Sequence, residues 1–226
     1  MITIVLNFVC THPSRLKVLH SIFPKWVDVL GDYKFIINYD STKNYESVKD
    51  LYETNIRDCV FTNDMETSWV DKTIAMVESV TTPYVFYLFE DSAFDEICTK
   101  SYFEEMLNES HSANVKHMFI GGKTDKYSDP KKWIHTPCEI HKTIRTFNSN
   151  VPYNCCYPLA AVWDRDLFLE VLRYVKVNIK SESAIKQIDG CEDLSNNFRS
   201  RNIKQACPLH KVKTHVQDVR QANRGY

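Results

Sequence analysis

Two rhythms of apolar and polar positions run along this chain, and the changes between them delimit its elements. Residues 2–9, "ITIVLNFV", are apolar or β-branched almost throughout and predict a first strand. Pro13 and Ser14 then open a segment with Leu16, Leu19, Ile22 and Phe23 at helical spacing, which predicts a helix that Pro24 ends or kinks. "KFIINY" (34–39) predicts a second strand ending at Asp40, residues 44–54 a short helix, and "CVFT" (59–62) a third strand. Residues 68–80 carry Trp69, Ile74, Val77 and Val80 on a helical period. The run "PYVFYLF" (83–89) does not alternate, so it reads as a strand buried on both faces. A helix near 99–108 and a strand near 115–120 continue the β-α repeat.

That alternation predicts an α/β fold with a mostly parallel central sheet flanked by helices. The regularity stops at Gly121-Gly122. Residues 121–158 are rich in Lys, Pro, Asn, Tyr and Cys with little periodicity, and a loop of this length points to function. This irregular segment is expected to line part of a binding site, with Trp133, Tyr153 and Tyr157 available for stacking and His135 and His141 for hydrogen bonding. A helix near 164–175 restores order. "GCEDLSNNFRSR" predicts a glycine turn and then a helix opening with Glu192 and Asp193, and "KVKTHV" a closing strand. The 226 residues suit one domain, with a ligand-binding half over 1–120 and a second half over 121–226.

Charge narrows the partners. Lys plus Arg (28) nearly cancel Asp plus Glu (29), so bulk charge does not favour nucleic acid. No apolar run reaches the roughly 18 residues of a membrane helix, and "MITIVLNFVC" lacks a basic signal-peptide start. The eight cysteines are scattered without a CxxC pair, which suggests reduced thiols and a cytoplasmic setting. Cys138-x-x-His141 and Cys207-x-x-His210 together offer four ligands for a structural zinc, the basis of an alternative reading as a non-catalytic zinc-binding interaction module.

In parallel sheets, ligands bind beyond the carboxyl ends of the strands. Three predicted strands end there with usable chemistry: Cys10-Thr11-His12, Asp40-Ser41-Thr42 and Glu90-Asp91-Ser92. Adjacent carboxylates after a buried strand suit a divalent cation carrying a diphosphate. They equally suit a helix cap or a solvated turn. Arg15, Lys72 and Arg220 are the basic side chains available to phosphates.

"YVFYLFEDSAF" resembles the acidic motif of the GT-A glycosyltransferases, in which a buried strand ends in Asp-x-Asp or a related acid cluster. "VLNFVCTHPSRLKVL" is similar to that family's first strand and nucleotide loop, which carries Thr11, His12 and Arg15. "INYDST" is similar to the second strand, whose terminal Asp contacts the nucleoside. "GCEDLSNNF" resembles the motif bearing the catalytic base of inverting members, and "KTHVQDVRQANRGY" a closing segment whose His ligates metal in some. The resemblance implies a hexosyltransferase-type glycosyltransferase taking a nucleoside diphosphate sugar, with a UDP-sugar favoured, and passing the sugar to a glycan or other hydroxyl acceptor. It implies Asp193, or else Glu192, as base, Asp91 and His215 on Mn2+ (or Mg2+), and Asp40 and Glu90 on the donor. Ser92 stands where the family usually has another acid. A sugar-phosphate nucleotidyltransferase shares this sheet and is the alternative enzyme. Such enzymes usually carry a glycine-rich first loop, and "CTHPSRL" has no glycine.

Overall fold

The computed structural model describes residues 2–120, 138–148, 160–193, 201–210 and 212–215. Trp133, His135, Tyr153 and Tyr157 lie outside them. The elements run β1 (Ile2–Phe8), α1 (Pro13–Leu30), β2 (Lys34–Tyr39), α2 (Tyr45–Asn55), β3 (Asp58–Thr62), α3 (Trp69–Glu78), β4 (Tyr84–Tyr87), β5 (Ser92–Phe94), α4 (Lys100–Ser112) and β6 (His117–Phe119). They continue with β7 (Glu139–Ile140), β8 (Ile144–Asn148), β9 (Ala161–Asp164), α5 (Arg165–Asn178), α6 (Ala184–Asp193), β10 (Lys204–Pro208) and β11 (Lys213–His215).

Nine strands form the main sheet in the order β3-β2-β1-β4-β9-β6-β10-β8-β7, and β11 pairs with β5 beside it. β1, β2, β3 and β4 are parallel, in a register that sets Asn7 beside Asn38 and Val5 beside Tyr87. β9 enters antiparallel between β4 and β6. Strands β1 and β4 are apolar on both faces because helices cover both. One face packs against α1, α2 and α4 through Leu19, Trp26, Tyr52 and Phe103. The other packs against α3, α5 and α6 through Trp69, Val77, Phe168 and Cys191.

Three expectations need correction. Of the two outcomes expected at Pro24, the helix end is overturned: α1 continues to Leu30. A proline inside a helix costs about 3 kcal/mol, but the following turn buries Trp26, Val29 and Leu30, each contributing roughly 1.5–3 kcal/mol. Burial outweighs the missing hydrogen bond. Second, Gly190 opens no turn: Gly190, Glu192 and Asp193 lie in helix α6, which begins at Ala184, so the two acids do not open a helix. A Cβ at Gly190 would lie 2.5 Å from Ile179 Cγ1, so the glycine is there for close packing against the chain just beyond α5. Third, part of the segment expected to be irregular forms β7 and β8. β8 pairs with β10, its neighbour in the sheet.

Candidate active site

The tips of β1, β2 and β4 share one sheet edge because the three strands are parallel. Beyond β1, Cys10 is buried and its thiol is pushed up by burial, an effect the nearby Arg15 guanidinium partly opposes. The Cys10 carbonyl accepts from Tyr39 Oη at 2.9 Å and Asn44 Nδ2 at 3.0 Å, which ties the β1 tip to the β2 tip. Thr11 is half-buried and His12 exposed; His12 caps α1 by accepting from the Ser14 amide.

Below the β2 tip lies a buried polar network. Asn7 Nδ2 donates to Thr73 Oγ1 and the Trp69 carbonyl, and Asn38 Nδ2 donates to Asn7 Oδ1 and the Asp64 carbonyl. Asn63 Nδ2 donates to the carbonyls of Tyr39 and Ser41. Lys72 Nζ, from α3, reaches Asp40 Oδ2 at 3.0 Å and the Asp64 carbonyl at 3.0 Å. The Lys72 ammonium therefore spans the tips of β2 and β3. Asp64 is held below the usual carboxylate range, chiefly by its hydrogen bonds from Thr67.

The acidic motif is a tight turn. β4 ends at Tyr87, and the Ser92 amide donates to the Phe89 carbonyl, so Glu90 and Asp91 are its two central residues before β5 begins. Both are buried, at 2% and 6% exposure. α1 grips this turn twice. Arg15 pairs with Glu90, and Trp26 Nε1 donates to the Ser92 carbonyl at 2.6 Å. β11 then runs antiparallel to β5 with His215 directly opposite Ser92. Sequence neighbours of the acids are thereby joined to a residue more than a hundred positions later.

The superposable structures share this architecture. The S. aureus TarS fragment 1-349 in complex with UDP-GlcNAc matches with a TM-score of 0.57 at 8% identity, over 94% of this chain and 57% of that one. The mannosyltransferase PcManGT from Pyrobaculum calidifontis, in complex with GDP-Man and Mn2+, matches with a TM-score of 0.60 at 10% identity, over 100% of this chain and 58% of that one. The fold is of the GT-A type. A 4-diphosphocytidyl-2C-methyl-D-erythritolsynthase from Anaerococcus prevotii also superposes, with a TM-score of 0.56 at 13% identity, over 99% of this chain and 94% of that one. At such identities the likeness is one of fold alone. This chain spans little more than half the length of the TarS fragment and of PcManGT. No family model matches the sequence, and no curated protein does.

Within this GT-A frame, Thr11, His12, Arg15, Asp40, Lys72, Glu90 and Asp91 gather along the tips of β1, β2 and β4. Arg220 lies outside the described residues. So do the side chains of Glu192, Asp193 and His215, whose backbone positions are described. Among the described residues no group of three or more His, Cys, Asp or Glu side chains is arranged to hold a metal. That includes the expected zinc quartet: His141 Nε2 meets Thr146 Oγ1 at 3.2 Å, His210 is exposed, and Cys138 and Cys207 pack against Phe147. The sequence reading passed over Asn7, Asn38 and Trp26. The two asparagines were visible as polar interruptions of buried apolar strands, which demand hydrogen-bond partners. Trp26 carried no such signal.

Proposed function

We propose that this chain is a glycosyltransferase that moves a sugar from a nucleoside diphosphate sugar, UDP-linked by preference, to a hydroxyl acceptor with inversion. The single observation that carries this reading is the strand register opposing His215 to Ser92, next to the buried Asp91, on the edge that also holds Asp40. The GT-A frame and the nucleotide sugars in the TarS and PcManGT complexes support it.

The residue types of Asp91 and His215 suit a divalent ion. A carboxylate as buried as Asp91 belongs with a cation or several donors. One carboxylate and one imidazole favour Mn2+ over Mg2+, which prefers oxygen alone. Asp91 and His215 would hold that ion, which when bound neutralises charge on the leaving diphosphate. Asp40, held by Lys72, receives the nucleoside. Arg15 balances Glu90 and keeps the turn in shape. Asp193, on α6, takes the proton from the acceptor hydroxyl, which then attacks the anomeric carbon in line with the departing nucleotide. Among the described residues no helix is long and apolar enough to cross a membrane. The free thiols of Cys10, Cys59, Cys98, Cys138, Cys191 and Cys207 accord with a reducing, cytoplasmic setting.

The test is calorimetry and thermal shift with UDP-, GDP-, CMP- and dTDP-sugars, with and without Mn2+. A UDP-sugar is expected to bind best and to be hydrolysed or transferred with release of UDP. Absence of binding by every nucleotide and nucleotide sugar at millimolar concentration would overturn the reading. The A. prevotii neighbour favours a second reading, nucleotidyl transfer to a sugar phosphate. Its signature is release of pyrophosphate from a nucleoside triphosphate in place of UDP from a UDP-sugar.

A further inference from the structure

We infer that Gln187 is a positioning residue that locks the base-bearing helix α6 to the donor-binding helix α3. The inference rests on the reading of Asp193 as base.

The first amides of a helix have no acceptor within it and must find one elsewhere. In α3, the Ser68 hydroxyl takes the Asp71 amide. The Val70 amide is buried, and its acceptor is Gln187 Oε1 at 3.0 Å, 117 residues away on α6. The other end of the same side chain is also fixed, because Nε2 donates to the Ser181 carbonyl at 2.7 Å. With both ends engaged, the orientation of this buried amide is determined by its partners.

The next turn of α3 faces the donor edge. Lys72 holds Asp40 and the Asp64 carbonyl, and Thr73 receives Asn7. Along α6, Gly190 meets Ile179 and Cys191 is buried, so the helix is held at three points before it reaches Glu192 and Asp193. Two of these contacts are apolar packing, which tolerates sliding. The Gln187 hydrogen bond is directional and sets the helix along its own axis relative to α3. An error of about 1 Å in the placement of a catalytic group can cost about a hundredfold in rate. α3 is thus a strut between the nucleoside ledge and the proton acceptor, and Gln187 is its joint.

Gln187→Met removes the acceptor at nearly constant volume, whereas Gln187→Glu keeps an acceptor for the Val70 amide, where a helix N-terminus favours negative charge, and loses the donor to the Ser181 carbonyl. Leu172→Ala, in the core between α5 and the sheet, serves as a destabilised control. Three readouts are compared: UDP binding by calorimetry, turnover of the best UDP-sugar, and hydrogen exchange over 184–193 with and without UDP. We expect Gln187→Met to bind UDP within about twofold of wild type, to lose about 10- to 100-fold in kcat, and to lose the UDP-induced protection of 184–193. Gln187→Glu, which keeps the bond to α3, retains more of kcat than Gln187→Met, and Leu172→Ala keeps it. Wild-type kcat and protection in Gln187→Met overturn the inference. So does a joint loss of binding and turnover in Gln187→Met that only follows its fall in Tm. If the wild-type chain binds no UDP, the preceding functional reading fails and this one with it. If it binds UDP and turns over without regard to Gln187, only this one fails.

Discussion

The Lys72 ammonium lies 3.0 Å from the Asp40 carboxylate, yet the Lys72 side chain is only 4% exposed while that of Asp40 is 40% exposed. The pair is therefore asymmetric, and its two halves are not equally dispensable. Asp40→Ala leaves a buried ammonium that still donates to the Asp64 carbonyl but has lost its carboxylate. Lys72→Met leaves a carboxylate that water already reaches and fills the slot with an apolar stem. Asp40→Ala is expected to cost more stability than Lys72→Met, by about 1–3 kcal/mol in urea unfolding. Both should weaken UDP binding. Equal costs would mean that the ammonium does not depend on Asp40.

Asp193→Asn keeps the shape of the proposed base and removes its basicity. Turnover should fall by roughly 10²–10⁴, with donor affinity within about twofold of wild type. Glu192→Gln should have little effect. Steady-state kinetics with the preferred UDP-sugar check both, and a normal rate in Asp193→Asn would move the role to Glu192.

Asp91→Ala and His215→Ala should each lower Mn2+-dependent UDP binding, and chelator should do the same to wild type. The two losses should not add in the double mutant, because the proposal gives both residues to one ion. Paramagnetic broadening by Mn2+ reads this without turnover. Binding indifferent to chelator and to both changes would leave the diphosphate to Arg15, Lys72 or Arg220.

Gly190→Ala would bring a Cβ to 2.5 Å from Ile179 Cγ1. Alanine is worth up to about 1 kcal/mol over glycine in a helix, but overpacking typically costs about 1–3 kcal/mol. The single change should therefore lower Tm. In an Ile179→Ala background the clash is gone, and the same change should be neutral or stabilising.

Glu109, on α4, accepts from the amides of Lys142, Thr143 and Ile144 and from the Thr143 hydroxyl. Partial burial pushes its carboxyl up, but these hydrogen bonds outweigh it and hold it below the ordinary 4.5. A depressed folded-state value stabilises above the unfolded value and is lost as pH falls through the folded one. Wild type should thus lose stability below about pH 4.5, and Glu109→Gln should show a shallower acid limb in Tm against pH. Parallel acid limbs would show that this clamp does not titrate with folding.

What the sequence disclosed follows from the range of each interaction. β1 and β4 were legible because interior parallel strands are unbroken apolar runs, and their parallel register alone brings Thr11, Asp40 and Asp91 to one edge. α6 was misread because Gly190 looks like a turn locally, while its reason is a contact with Ile179 just past the previous helix. Pro24 misled in the same way, since only the burial of Trp26 and Leu30 reveals that the helix goes on. β5, β7 and β8 are short, and β8 owes its place to β10 some sixty residues later. The Gln187 joint had no local signature at all.

The antiparallel entry of β9 between β4 and β6 has a consequence for synthesis. Among the described residues β6 finds its partners in β9 and β10, and one edge of β4 waits for β9. At about 5–20 residues per second, a ribosome needs several seconds to pass from Phe89 to Asp164. Through that interval the edge of "YVFYLF" is uncovered, a short, uncharged, aromatic segment of the kind that pairs with copies of itself. The same late strand makes the first 120 residues a poor piece to express alone. Truncation there would leave this edge open permanently, and recovery of soluble protein should return only in fragments that extend past Asp164.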